Sequence, residues 1–353
     1  MEFMKKINTA IVGFGLSGST FHAPVFLSVP HFEFKYVVSS KPENIKLKYP
    51  NVKVISNFND LLNLSDLDLI IITTPNNTHY SLAKLALLSG KNVIVDKPFV
   101  LKFQEGLELC EIARSKNLFL SVYQNRRWDN GFLTLKKCLS EDLLGEIFNY
   151  ESYFDRFRPI VSETKWRELE GEGTGLLFDL GSHLIDQAIE LFGMPEEILA
   201  DIEMQRNGAK AIDYFKLIFK YKKLRVTIGA SSIMSLPRPV LSVHGTKGSF
   251  VKYELDPQEN ELRAGKTPLI SNWGEEREGS GGAFVSLLKD EKISESKIKC
   301  VPGSYQEYYE KVFQSLINKN QNPVEPLSAL NVIKLIELSL ESASSKKWIV
   351  INS

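Results

Sequence analysis

Five short, almost wholly apolar runs recur in the first third of the chain: Ile7 to Val12, Phe34 to Val38, Leu69 to Thr73, Val93 to Val95 and Leu118 to Val122. Amphipathic stretches separate them, as in Tyr80 to Ser89, where Leu82, Leu85, Ala86 and Leu88 fall near helical spacing before Gly90 ends the run. A strand without a polar face must be covered on both sides, and helices between successive strands supply that cover. The alternation therefore predicts an α/β fold whose first domain is a doubly wound parallel sheet ending near Gln124.

After about Asn125 the pattern changes to longer alternating stretches: Ile147 to Phe157, Glu197 to Met204, Tyr214 to Tyr221, Leu224 to Ser231 and Val240 to Tyr253. These predict strands of one large, mostly antiparallel sheet with one open face. A helix is expected from about Phe178 to Phe192, and two more close the chain. One carries the stripe Tyr305, Tyr308, Tyr309, Val312, Phe313 and Leu316; the other carries Ala329, Val332, Ile333, Ile336 and Leu340. The stretch from about Ala264 to Ser304 is rich in Gly, Lys and Glu with weak periodicity, and reads as a long loop or an inserted decoration. At roughly 150 residues per domain, the chain divides into 1–124 and an α+β domain over 125–353.

The 43 basic and 43 acidic residues cancel, which argues against nucleic acid as a partner, since phosphate backbones select a basic excess. No apolar run approaches the roughly 18 residues that cross a bilayer. The start, MEFMKKINTA, passes from Lys5 and Lys6 into a strand rather than a signal-peptide apolar stretch. Cys110, Cys138 and Cys300 are far apart and in no metal-ligand spacing, so a reduced, cytoplasmic protein without a metal site is expected.

Directly after the first run comes Gly13-Phe14-Gly15-Leu16-Ser17-Gly18. In a strand-to-helix turn the first glycine permits the bend, the second admits a pyrophosphate to the backbone, and the third lets helix and strand pack closely. The amides of the helix start then face the phosphates. A Rossmann dinucleotide site also expects an acidic residue at the end of the second strand for the adenine ribose. Ser39, Ser40 and Lys41 stand there instead, and hydroxyls with a cation suit a 2′-phosphate. NADP(H) is the expected cofactor, with NAD as the alternative because Glu43 is close by.

Ligands of open parallel sheets bind beyond the carboxyl ends of the strands. That places Thr74, Pro75, Asn76 and His79 after the third run, Asp96 and Lys97 after the fourth, and Gln124 after the fifth, in the cofactor set. Lys97, at the mouth of a buried strand, is also a candidate for work beside a nicotinamide. Further on, Asp179 and His183 stand four apart, so on a helix they share a face, while Leu180, Leu184, Ala188 and Leu191 make an apolar stripe. A carboxylate beside a histidine raises its basicity and fixes its tautomer, which suits a general base. Arg126, Arg127, Trp128, Asp155, Arg156, Arg158 and Trp166 combine planar donors with flat apolar faces.

Taken together, GFGLSG, TTPNNTH, DKPF and DLGSH resemble the glucose–fructose oxidoreductase/inositol dehydrogenase/rhizopine-catabolism family of NAD(P)-dependent oxidoreductases. YQNRRWD (Tyr123 to Asp129), ESYFDRFRP (Glu151 to Pro159) and GSHLIDQAIELFG (Gly181 to Gly193) resemble its NADP-dependent scyllo-inositol dehydrogenase branch. The resemblance implies a Rossmann domain followed by a domain with a large open sheet, often the surface of a homodimer or larger homo-oligomer. The family's Glu-Lys-Pro motif falls on Asp96-Lys97-Pro98, one methylene shorter at Asp96, and the Lys–Pro bond is often cis. The implied catalytic set is Lys97, Asp179 and His183. Those three, with Arg127, Trp128, Arg156 and Trp166, are the expected substrate contacts. The implied reaction is hydride exchange between NADP(H) and a secondary alcohol of a cyclitol or sugar. Alternatives are a dihydrodiol, keto-sugar or biliverdin-like substrate, or an NAD(P)-binding regulator without catalysis.

Overall fold

The structure is a computed structural model that describes residues 6–277, 279, 281–289 and 292–351. Lys5 of the N-terminal lysine pair, and Glu278, Ser280, Asp290 and Glu291 of the 264–304 stretch, lie outside the described residues. The chain forms two compact units. The first combines residues up to Asn125 with 258–273 and 304–330; the second holds 126–257, 274–303 and the remainder from Asn331.

The first unit is built on six strands: β1 (Ile7–Val12), β2 (Phe32–Val38), β3 (Lys53–Ile55), β4 (Leu69–Ile72), β5 (Asn92–Val95) and β6 (Leu120–Val122). All pair in parallel, in the order β3-β2-β1-β4-β5-β6. Every residue of β4 is fully buried, as the unbroken apolar run requires of a strand covered on both faces. The three residues of β3 are too few to display a period, so only the sheet reveals them. Successive crossovers run one way from β1 to β2 and the other way to β4. The carboxyl ends of β1 and β4 therefore flank the point where strand order reverses, which is where such sheets bind ligands.

Two later segments belong to this unit for a packing reason. Helix Tyr305–Asn318 turns its aromatic stripe onto the first strands and the glycine-loop helix. The Tyr309 ring lies 5.8 Å from Phe26 and 5.7 Å from Phe32, and its hydroxyl is 2.6 Å from His22 Nδ1. Phe313 stacks on His31 at 3.9 Å. Gln258 ties the other segment in, its side-chain oxygen accepting from Trp273 Nε1 at 2.9 Å and from the Tyr305 amide at 2.7 Å.

The second unit carries nine strands: β7 (Ile147–Tyr153), β8 (Glu197–Glu203), β9 (Tyr214–Lys220), β10 (Arg225–Ser231), β11 (Leu241–Gly245), β12 (Gly248–Lys252), β13 (Ala283–Lys289), β14 (Lys292–Ile298) and β15 (Ile349–Val350). Their order is β14-β13-β12-β11-β7-β10-β9-β8-β15, and the described pairs are antiparallel except β7 with β10. The expected single strand over Val240 to Tyr253 is a hairpin, turned at Thr246 and Lys247. The 264–304 stretch is no simple loop; it supplies β13 and β14 at one sheet edge. Six of the seven β14 residues are exposed, so no apolar face marks the strand in the sequence.

In β9, Phe215, Leu217 and Phe219 are fully buried while Tyr214, Lys216, Ile218 and Lys220 are half-buried. Helix Ser182–Phe192 lies on the buried face, so close that a Cβ on Gly181 would stand 3.4 Å from the Phe215 ring. Among the described residues, no helix is long and apolar enough to cross a membrane.

Candidate active site

The glycine loop leaves β1 with each glycine used differently. Gly13 has φ +86°, a left-handed backbone, and its amide donates to Val38 O at 3.0 Å. Thr73, just past β4, donates its hydroxyl to the Gly13 carbonyl. A Cβ on Gly18 would stand 2.5 Å from that same carbonyl and 2.7 Å from the Thr73 hydroxyl, so helix and strand touch at that point. Around the Cβ position of Gly15 no heavy atom lies within 4 Å. That open backbone is the room a pyrophosphate requires, and the loop fits a dinucleotide on this ground. A π-helical turn, Ser17–His22, and a short α-helix, Ala23–Phe26, follow. Phe14 packs against Phe34 (5.9 Å) and Tyr49 (6.0 Å), and Leu16 is 47% exposed.

Ser39, Ser40 and Lys41 form the turn beyond β2. The Ser39 hydroxyl accepts the Lys41 amide at 3.1 Å, and Ser40 and Lys41 are exposed. Glu43 lies in the first turn of the helix that follows, Pro42–Lys48, and is also exposed.

The ends of β4 and β5 are held by two buried histidines. Asp96 accepts from the Ser17 hydroxyl and from the Lys97 amide (2.8 Å), and its Oδ1 stands 3.7 Å from His22 Nε2. Burial pushes the Asp96 carboxyl up, but the neighbouring His22 ring, the Ser17 hydroxyl and the Lys97 charge outweigh it. The net result is a carboxyl held far below the usual range and ionised. The shorter acid thus faces inward to the glycine loop. The Lys97–Pro98 bond is cis. His79 is 1% exposed, with Nδ1 2.8 Å from Pro98 O and Nε2 3.0 Å from Thr74 O; burial lowers its pKa. Both of its polar atoms therefore face main-chain carbonyls. Thr74 and Thr78 join hydroxyls at 2.6 Å across the turn that contains Pro75 and the buried Asn76. Gln124, past β6, is buried, and its Oε1 has no hydrogen-bond partner among the described residues. An orphaned buried acceptor at the end of a strand is a further feature that fits a bound ligand.

In the second unit, Gly175 takes φ +82°, where a Cβ would press within 2.7 Å of Ile212 O. Asp179 follows in a π-helical turn, Leu177–Gly181, and His183 opens helix Ser182–Phe192 at 6% exposure. Wide turns of this kind recur at functional positions. Asp179 lies between two guanidinium groups, Arg167 Nε at 3.3 Å and Arg156 Nη1 at 3.8 Å. Arg167 itself sits 4.7 Å from the Trp166 ring. Sequence reasoning chose Trp166 and passed over Arg167 beside it, because a short irregular turn, Trp166–Glu168, carries no periodic signal.

Other pocket candidates are engaged within the protein. Arg127 is 8% exposed and donates Nε and Nη2 to the two Asp186 oxygens (2.8 and 2.7 Å) and Nη1 to Glu190 (2.7 Å). It fastens its own turn to the helix that carries His183, helped by Gln187 donating to Arg126 O at 2.8 Å. Trp128 is buried at 5% exposure. Asp155 is clamped by Arg238 through two 2.8 Å bonds. Arg126 pairs with Asp129 at 3.2 Å, and Arg158 is exposed. Among the described residues, no three His, Cys, Asp or Glu side chains are grouped to hold a metal.

The glycine contacts separate two roles by experiment. Gly18→Ala forces a Cβ into main chain and is expected to destabilise the protein by about 1–3 kcal/mol. Gly15→Ala meets open space and is expected to leave the melting temperature within about 2 °C while weakening dinucleotide binding. Thermal melts and NADPH fluorescence titration check both; equal melting losses for the two variants would refute the assignment.

Residues 7–124 match the family model described as "Oxidoreductase family, NAD-binding Rossmann fold", and residues 136–351 match its "C-terminal alpha/beta domain". The chain is 41% identical over 340 residues to the uncharacterized oxidoreductase YdgJ of Escherichia coli (strain K12), covering 96% of this chain and 97% of that one. It is 38% identical over 345 residues to the scyllo-inositol 2-dehydrogenase (NADP(+)) IolW of Bacillus subtilis (strain 168), covering 98% and 96%. The solved structure of the Bacillus subtilis oxidoreductase yvaA superposes with a TM-score of 0.96 at 37% identity over all of both chains. With an open glycine loop on a parallel sheet and both halves matched, the chain belongs to the Gfo/Idh/MocA family of NAD(P)-binding oxidoreductases.

Proposed function

We propose that the protein is an NADP(H)-dependent dehydrogenase of a secondary alcohol on a cyclitol or sugar, with a scyllo-inositol-like polyol as substrate. The observation that carries this reading is the open backbone at Gly15, just past β1, on the same parallel sheet whose strand β5 runs out into Lys97. The chain also keeps Asp179 and His183, a set that a cofactor-sensing regulator would not require. The polyol is supported by the 38% identity to a scyllo-inositol dehydrogenase across nearly the whole chain. NADP over NAD is supported by the exposed Ser40 and Lys41, with no carboxylate from Ser39 to Lys41.

When bound, NADP(H) supplies or takes up the hydride. His183 accepts the substrate hydroxyl proton through its imidazole. Lys97 donates a hydrogen bond to the same oxygen and stabilises its growing negative charge. Asp179 orients the histidine, and Arg156 and Arg167 fix the direction of its carboxylate. In the first unit, Gly13 to Gly18, Thr74 to Asn76 and Gln124 line the dinucleotide, while Asp96 and His79 hold the strand ends. Trp166 and Arg156 are the substrate contacts we assign in the second unit. Arg127 and Trp128 support them from beneath, since their polar and aromatic groups are buried. Cysteines outside any disulfide, two of the three buried, suit a reducing compartment such as the cytoplasm.

We further assign the half-buried face of β9 (Tyr214, Lys216, Ile218 and Lys220) as a surface between copies in a homodimer or tetramer. Light scattering at micromolar concentration is expected to give at least twice the 40.0 kDa chain mass, and a monomer would refute this.

Two measurements test the chemistry. Lys41→Ala is expected to weaken NADP binding on the order of 10- to 100-fold and to leave NAD unchanged, because only the 2′-phosphate contact is charge-assisted. Equal losses for the two cofactors would remove Lys41 from phosphate recognition. In a nicotinamide-absorbance assay with inositol stereoisomers and hexoses, His183→Ala is expected to lower turnover by roughly 10²–10⁴-fold with NADP affinity little changed. Lys97→Ala is expected to cost a comparable factor, and the double variant to fall short of the product, because both serve one transition state. The oxidation rate is expected to rise with pH as His183 loses its proton and becomes able to accept the one from the substrate hydroxyl. NADPH binding with no turnover on any polyol or keto-sugar would replace the enzyme by a regulator.

A further inference from the structure

His79 begins helix His79–Leu88, yet its side chain turns inward and is 1% exposed. Its ring lies between two carbonyl oxygens, Pro98 at 2.8 Å and Thr74 at 3.0 Å. Those carbonyls belong to the extensions of β5 and β4, which are neighbours in the sheet. A carbonyl only accepts, so the imidazole donates to one of them and spans the gap to the other. With the proton on Nδ1 the ring hydrogen-bonds the Pro98 carbonyl and so ties the Lys97–Pro98 turn to the segment that runs from Thr74 to His79.

Lys97 sits in that turn. On its upstream side Asp96 is pinned by the Ser17 hydroxyl, by the Lys97 amide and by the neighbouring His22. On its downstream side the Pro98 carbonyl is held by His79. A lysine reaches its target on a flexible four-carbon stem, so the position of its Cα sets the region its amine can sample. Reactive groups must be held within about 0.5 Å of productive geometry.

We propose that His79 is a positioning residue that acts through Lys97, by holding the Lys97–Pro98 turn against the Thr74 loop. This rests on the assignment of Lys97 above, and one of its readouts is independent of turnover. His79→Leu keeps bulk and removes both nitrogens; His79→Gln restores one donor. In the full-length protein, His79→Leu is expected to lower kcat for polyol oxidation on the order of 10- to 100-fold, with KM and NADPH affinity changed less than about 3-fold. His79→Gln is expected to recover most of that loss but not all of it. In a Lys97→Ala background either substitution is expected to change turnover less than about 2-fold, because its effect passes through the missing amine.

The independent readout is the ¹³C-dimethyl-lysine resonance of Lys97, assigned by its absence in Lys97→Arg. It is expected to move toward the exposed-lysine position in His79→Leu and part of the way back in His79→Gln. An unchanged Lys97 resonance in a folded His79→Leu protein overturns the proposal, as do losses that multiply with Lys97→Ala. If the leucine variant does not fold, the glutamine variant decides alone. A deficit that vanishes in the Lys97→Ala background supports the proposal; no deficit, or a deficit that persists there, overturns it. A wild-type protein that turns over no polyol would sink the functional reading, while the lysine resonance would still judge the role of His79.

Discussion

The contact on which the first unit depends is the meeting of Thr73 with the Gly13 carbonyl under Gly18. It joins the exit of β1 to the exit of β4, the two strands between which the order of the sheet reverses. With Gly18 packed against it, the loop has no slack, and the Gly15 backbone is left facing open space. Main-chain amides recognise phosphate only when they are held in place before the ligand arrives. The rigidity comes from buried contacts beneath the loop, and the recognition from the exposed edge above it.

The same division of labour recurs at the other strand ends. Asp96 and Ser17 bond each other, His79 faces main-chain carbonyls, and His22 turns inward to the Tyr309 hydroxyl and the Asp96 side chain. In the second unit, Arg127 saturates its fork on Asp186 and Glu190, and Asp155 is closed by Arg238. These residues resemble substrate contacts in composition but serve as struts for the segments that carry His183 and Arg156. A buried, fully bonded guanidinium has few donors left for a ligand. Arg156 and Arg167, at 27% and 43% side-chain exposure, retain access to solvent while flanking Asp179.

Both units place a π-helical turn just where a candidate polar residue is required: Ser17 in one, Asp179 in the other. Each wide turn runs directly into an α-helix, so the residue sits at the rim of a regular element without breaking it. A sequence pattern read with a 3.6-residue period cannot distinguish such a turn from an ordinary first turn. The spacing of Asp179 and His183 therefore suggested a shared face. The structure adds that the carboxylate is flanked by arginines from β7's extension and from the Trp166 turn.

The strongly periodic segments were legible in the sequence. Apolar runs with no polar face called for a parallel sheet, the glycine spacing after a strand suggested a phosphate loop, and alternation put Phe215, Leu217 and Phe219 on one side of β9, the side the structure buries. What tertiary structure alone decided were partners far apart along the chain. Tyr309 reaches His22 across 287 positions and draws a C-terminal helix into the first unit; Arg127 meets Asp186 across 59. Strand β14 joined the sheet through main-chain pairing with β13, although nothing in its exposed side chains announced it. Periodicity reports which face of an element is apolar, because that is a property of neighbours in sequence. Which surface covers that face, and which carboxylate closes a given arginine, depends on how the whole chain packs.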